Sequence, residues 1–266
     1  MSQMFKEIFG VEKPVIAMVH FPANPGSPLY DDDGGMEKIF EVVSNDLWAL
    51  QDNGVDAVMF CNEGDRPYNI EPGVETVASM ARVIGQLIPS IKIPFGVDML
   101  WGPKQALALG KAVGAKFVRN IFTGVYDSDM GLWNTNVGQT SRYRKLIDAD
   151  NIKLFFNINA EFASPIGRRP LDKVAKSAVF SSLADAVLVS GPMTGETGTI
   201  SDIELVKNAV PDTPVLANTG VRESNVRDIL SVGDGCIVGT ALKKDGYTWN
   251  PVDPERVKRF MAAARG

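Results

Sequence analysis

Short apolar runs of strand character recur along the chain, separated by longer stretches with apolar residues on one helical face. The strand-like runs are Val15 to Phe21, Ala57 to Asn62, Pro94 to Leu100, Phe117 to Phe122, Lys153 to Asn159, Ala186 to Ser190, Pro214 to Thr219 and Cys236 to Val238. Between the first two, Ile39, Val42, Val43, Leu47 and Leu50 share a helical face. Between the second and third, Val77, Met80, Ala81, Ile84, Leu87 and Ile88 form the clearest stripe in the sequence. Further helices are predicted from Pro103, over Gln139 to Ile147, from near Pro170, from Ser201 as an N-cap, over Glu223 to Ser231, and from Pro254.

Strand–helix alternation predicts a parallel sheet. Eight such pairs in 266 residues predict one domain, a single (β/α)8 TIM barrel. An open doubly wound sheet is the other candidate, but no GxGxxG follows the first strand. Residues 1–13 precede the first strand, and Phe5, Ile8 and Phe9 are expected to plug or flank the barrel bottom. The loops after strands one, two, four, five and six are long and polar, whereas most loops entering strands are short. A barrel carries its site on the face built by the loops that follow strands, so the asymmetry points there.

The stretch TPVLANTGVRESNVRDILSVGDGCIVGTAL, Thr213 to Leu242, reads as strand, helix, strand with a glycine after each strand. Backbone N–H groups freed at such turns form an anion site, and the loops after strands seven and eight are its usual place in a barrel. Gly220, Val221, Gly239 and Thr240 are therefore the expected phosphate-binding residues, against the alternative that the glycines only make tight turns.

Side chains alternate along a strand. That places Ile16, Met18 and His20 on one face; likewise Val58, Phe60 and Asn62; Gly96 and Asp98; Phe155, Asn157 and Asn159, with Glu161 just beyond; Leu188 and Ser190; Leu216 and Asn218. Each set turns polar at its C-terminal end. A ring of amides and acids at one barrel mouth costs free energy unless paired or solvated, and so marks a site. His20, Asp98 and Glu161 are the candidate acid–base residues. Asn62, Asn157, Asn159, Ser190 and Asn218 suit sugar hydroxyls, since amides and hydroxyls both donate and accept. Arg119 in strand four is expensive to bury alone. It either pairs with an acid such as Asp98 or binds an anionic substrate. Asn120 has the opposite parity, so the two are not expected to point inward together.

Composition narrows the chemistry. A net charge of −5 with no basic run argues against a nucleic-acid partner. Cys61 and Cys236 fall in apolar runs and read as free buried thiols, which suits a reducing cytoplasm. A single histidine and no CxxC rule out the common zinc motifs. No metal site and no cofactor are expected, although one divalent ion on His20, Asp98 and Glu161 stays open. No apolar run spans a membrane and the N-terminus lacks a signal peptide's apolar core. A Schiff-base lysine belongs at a strand's C-terminal end. Lys153 opens its strand, and Lys243 and Lys244 lie beyond the expected mouth. The sequence does not decide between a monomer and a homo-oligomer.

The segments VIAMVHFPANPGSP, DAVMFCNEGD, KFVRNIFTG, DAVLVSGPMTG and the run through GTALKKDG resemble the BtpA/SgcQ family across nearly the whole chain. The resemblance implies a barrel like the ribulose-phosphate-binding ones, with phosphate at Gly220 and Gly239. The stretch FFNINAEF at strand five departs from the BtpA branch, so that branch's Lys–His pair is not carried over. ANTG at strand seven also favours the SgcQ-like branch. The expected function is an isomerase, epimerase or lyase acting on a phosphorylated sugar or similar small phosphate ester. The alternative is a non-catalytic biogenesis or stability factor for a membrane complex.

Overall fold

The computed structural model describes residues 3–191 and 200–266. Eight parallel strands close into a barrel. They are β1 (Val15–His20), β2 (Ala57–Cys61), β3 (Phe95–Asp98), β4 (Phe117–Asn120), β7 (Lys153–Asn157), β9 (Ala186–Ser190), β10 (Val215–Asn218) and β11 (Cys236–Val238). Chain order is kept around the ring, and β11 pairs with β1 to close it, Val15 opposite Cys236. Helices follow the strands: α2 (Gly35–Gln51), α3 (Val74–Leu87), α4 (Pro103–Val113), α5 (Val137–Leu146), α6 (Leu171–Phe180), α7 (Ile200–Ala209), α8 (Val226–Val232) and α9 (Pro254–Arg265). No helix among the described residues is long and apolar enough to cross a membrane.

Two apolar layers hold the barrel. Val15, Ala17, Val19, Val58, Phe60 and Val97 face the helices and pack with the stripes on α2 and α3. Ile16, Met18, Met59, Phe117, Phe155 and Leu188 fill the interior. A short helix, α1 (Gln3–Phe9), shuts the bottom. Phe5 packs on Phe155 and Phe9 on Phe117, with ring centroids 5.9 and 5.6 Å apart. Gly96 lets Phe117 lie flat across this floor, because a Cβ there would meet the Phe117 ring at 2.3 Å. Gly96→Ala is thus expected to destabilise by about 1–3 kcal/mol through overpacking. The measurement is a lower urea midpoint at unchanged slope; an unchanged midpoint would mean that the ring can swing aside.

The structure departs from the sequence reading in several places. Strand two turns Ala57, Met59 and Cys61 inward and Val58 and Phe60 outward. The run AVMFC is apolar on both faces, as a strand buried on both sides must be, so polarity could not choose between them. The loop after β4 forms a hairpin, β5 (Val125–Ser128) and β6 (Gly131–Asn134), joined by β8 (Ala163–Pro165) in a three-stranded antiparallel sheet. Buried Tyr126 and Trp133 pack it on Trp101. Ser201 lies inside α7 rather than capping it, and α8 begins at Val226, three residues later than expected. Of the loop after strand six, residues 192–199 lie outside the described residues.

Candidate active site at the barrel mouth

A cavity of about 620 Å³ opens at the C-terminal ends of the strands. His20, Arg119, Glu161, Asn218, Gly220, Val221, Gly239 and Thr240 all line it. Asp98, Asn157 and Ser190 lie buried beneath, as the partners of residues that line it.

The floor is a buried ion triad. Arg119 projects inward from β4 with 6% of its surface exposed. Its Nη1 is 3.1 Å from Asp98 Oδ2, its Nη2 donates to Glu161 Oε1 at 3.1 Å, and its Nε donates to Asn157 Oδ1 at 3.2 Å. The predicted pairing with Asp98 is therefore present, and Glu161 shares the guanidinium. Asn120 also reaches Asp98, donating to Oδ1 at 3.2 Å and to the Met99 carbonyl at 2.8 Å. Asn120 ends its strand, its amide crosses to the neighbouring β3, and it does not line the cavity beside Arg119. Asn218 donates to Glu161 Oε1 at 2.9 Å and to Ser190 Oγ at 2.8 Å.

Two expected substrate amides serve the backbone instead. Asn62 Oδ1 accepts from Leu100 N–H at 2.7 Å and its Nδ2 donates to Asp65. Asn159 bonds the Ser190 backbone twice, at 2.6 and 2.9 Å. Neither lines the cavity. Both follow strands whose ladders have ended, and their amides replace the missing rungs.

Sequence reasoning missed Glu63. It follows β2 by two residues, lines the cavity, and has the Tyr68 hydroxyl 3.2 Å from its Oε1. Burial, and then the charge of Glu161, raise its carboxyl to about 7, against the opposing pull of Arg119. Asp98 is raised to about 6, first by burial, with Arg119 pulling it down. His20 is pushed well below its ordinary value by burial and by the charges of Lys243 and Arg119, so it is neutral at pH 7. Its Nδ1 is buried without a hydrogen-bond partner. Lys243 was expected outside the mouth and does not line it, yet it is buried and paired with Asp46 of α2. Among the described residues no group of three His, Cys, Asp or Glu is placed to hold a metal ion.

One wall of the cavity consists of the two glycine turns. Thr219 and Gly220 both adopt left-handed backbone, φ 67° and 62°. For a β-branched residue that conformation is strained, and the Thr219 hydroxyl helps to hold it by accepting from Gly191 N–H at 2.7 Å. Gly239 precedes the second turn with φ −125° and ψ −85°. It also leaves space: a Cβ would lie 3.2 Å from His20 Cε1 and 3.3 Å from Met18 Cγ. Little helix dipole stands behind these amides. A 3-10 turn, Thr240–Leu242, follows Gly239 directly, and α8 starts well past Gly220. The Thr240 and Ala241 N–H groups open that turn and have no acceptor within it. Arg256 of α9 also lines the cavity, its Nε donating to Ala241 O at 2.9 Å.

Among solved structures, the fold is similar to the native KDPGal structure, with a TM-score of 0.57 at 16% identity over 96% of each chain. It is also similar to phosphoribosyl anthranilate isomerase from Thermococcus kodakaraensis, with a TM-score of 0.54 at 13% identity over 96% of this chain and 99% of that one. At such identities the likeness is one of fold. In sequence the chain is 50% identical to the sgc region protein SgcQ of Escherichia coli K12, over 96% of both chains. It is 31% identical to the photosystem I biogenesis protein BtpA of Synechocystis, over 97% of this chain and 90% of that one. The BtpA family pattern matches residues 11–266, and with these relatives on either side of it the chain belongs to the BtpA family.

Proposed function

We propose that the chain is an enzyme that moves a proton on a phosphorylated sugar, as an isomerase or epimerase. The observation that carries this reading is one cavity lined both by the amides of two glycine turns and by two groups fit for proton transfer, His20 and Glu63. The turns at Gly220–Val221 and Gly239–Thr240 would take the phosphate, with Arg256 beside them. Neutral His20 can take a proton from the carbon next to the carbonyl, and Glu63, half protonated near pH 7, can give its proton to the carbonyl oxygen, leaving an enediol. Return of the proton to a neighbouring carbon isomerises the sugar; return to the opposite face of the same carbon inverts it. Asp98 and Glu161 are held by Arg119 and serve to position it, a change from the sequence reading that made them acid–base groups. Carbon–carbon cleavage through a Schiff base lacks a nucleophile, since no lysine lines the cavity among the described residues. Two buried, unpaired thiols suit a cytoplasmic setting.

Ribose 5-phosphate and a panel of aldose and ketose phosphates provide the test. A ligand at a hundred times its Kd adds about 2.7 kcal/mol, several degrees of melting temperature for a chain of this size. The same sugar incubated in D2O should lose the NMR signal of the carbon-bound hydrogen next to its carbonyl. A shift without exchange would leave a binding protein; no shift with any phosphate would end the reading and favour the non-catalytic factor.

A further inference from the structure

Among the described residues, one hydroxyl is the only O–H or N–H donor on the Glu63 carboxyl. Tyr68 Oη lies 3.2 Å from Glu63 Oε1 and 3.2 Å from the Glu63 main-chain oxygen. It can donate to the carboxylate while Glu63 is charged and turn to the main chain once Glu63 takes a proton, so it keeps a partner in both states. The other groups that face Glu63 offer no such bond. The Cys61 thiol is 3.8 Å from Oε2 but also 4.0 Å from Asp98 Oδ2, a weak donor placed between two acids. Glu161 and Asp98 repel the charge, and Arg119 attracts it while its own bonds go to Asp98, Glu161 and Asn157. His20, on the same cavity, is neutral.

Tyr68 does not itself line the cavity. Its ring meets Trp101 edge-on, with centroids 6.2 Å apart and planes at 81°. Trp101 in turn lies 4.8 Å from Trp133 of β6, and both tryptophans are buried. The Trp101 indole N–H has no acceptor, so what a tryptophan supplies at this point is its ring, in contact with a neighbour on either side. A row of rings thus runs from the surface hairpin to the hydroxyl on Glu63. We propose that Tyr68 is a positioning residue for Glu63, and that the β5–β6 hairpin, through Trp133 and Trp101, holds Tyr68 in place. This rests on the reading of Glu63 as the acid and specifies what keeps that acid in its working state.

Carbon-13 NMR of protein labelled at the glutamate carboxyls tests it without any substrate. The Glu63 signal is the one lost in Glu63→Gln. Tyr68→Phe removes one oxygen from a half-buried position and keeps the ring on Trp101. It takes a donor from the charged carboxylate, so the Glu63 midpoint near pH 7 should move up by about one pH unit. Trp133→Ala should also move it up, because Tyr68 loses its backing, and should add nothing in the Tyr68→Phe background. An unmoved midpoint in Tyr68→Phe overturns the proposal. An unmoved or lowered midpoint in Trp133→Ala overturns the hairpin's part in it, a lowered one making the hairpin a cover against water. With a sugar phosphate that is turned over, Tyr68→Phe should shift the kcat limb near pH 7 by the same amount at unchanged KM. If no sugar phosphate is turned over, the enzyme reading fails, and the carbon-13 titration still decides whether Tyr68 and the hairpin act on Glu63.

Discussion

Arg119→Met is expected to cost the fold about 3–5 kcal/mol, the largest loss predicted for a single side chain in this molecule. Arg119 is the cation shared by Asp98 and Glu161, which are 1% and 5% exposed. Methionine fills much of the same volume, so the loss comes from charge rather than from a cavity. Two carboxylates would remain in the barrel with only amides to solvate them. Their remedy is protonation, which makes the loss depend on pH. Asp98 already holds its proton up to about pH 6 with Arg119 in place, and without that charge it holds it higher still. The deficit should therefore be smaller at pH 5 than at pH 8. Guanidinium denaturation at both values gives the measurement, and Arg119→Met combined with Asp98→Asn should recover much of the loss. Equal losses at the two pH values would show that packing, and not the buried charge, was at stake.

This triad was half legible in the sequence. Arg119 stood in an apolar run, and the cost of burying it alone demanded an acid; Asp98, in a strand otherwise of apolar residues and glycine, was the natural one. Glu161 was visible only as a nearby loop acid, and that both carboxylates share one guanidinium is a fact of strand tilt that no spacing records. The barrel could be counted because eight apolar runs alternate with stretches apolar on one helical face. Strand two escaped because Val58, Phe60, Met59 and Cys61 are equally apolar, and that one error hid Glu63. With Cys61 facing inward, parity carries Glu63 inward too; with Asn62 facing inward, Glu63 is only a loop acid. Lys243 had a signal that went unread. Asp46 lies beside Leu47 on the buried face of α2, and a buried acid there calls for a cation from elsewhere in the chain. The hairpin from Val125 to Asn134 had none. Its residues are mostly exposed, and Tyr126 and Trp133, with half-buried Met130, tie it to the core.

Glu63→Gln should separate stability from chemistry. Glutamine keeps the shape, and its carbonyl oxygen can accept from the Tyr68 hydroxyl as Oε1 does. It cannot exchange a proton. If Glu63 is the acid of the proposed reaction, turnover falls about 10²- to 10⁴-fold, and the limb of the pH profile near 7 disappears. The fold should respond in the opposite direction. Between the ordinary carboxyl value of 4.5 and about 7, folded Glu63 retains a proton that the unfolded chain has released. Stability from this residue is therefore lost as pH rises through that window. Burial drives the loss, repulsion from Glu161 adds to it, Arg119 relieves part of it, and a carboxylate at position 63 in neutral solution remains a burden. Its removal should gain roughly 1–3 kcal/mol at pH 8 and almost nothing at pH 4. A variant that is more stable at pH 8 yet inactive would mark Glu63 as kept for chemistry at the expense of the fold. A variant with unchanged turnover would pass the proton step to His20 alone, and one destabilised equally at pH 4 and pH 8 would make Glu63 a structural partner of Tyr68.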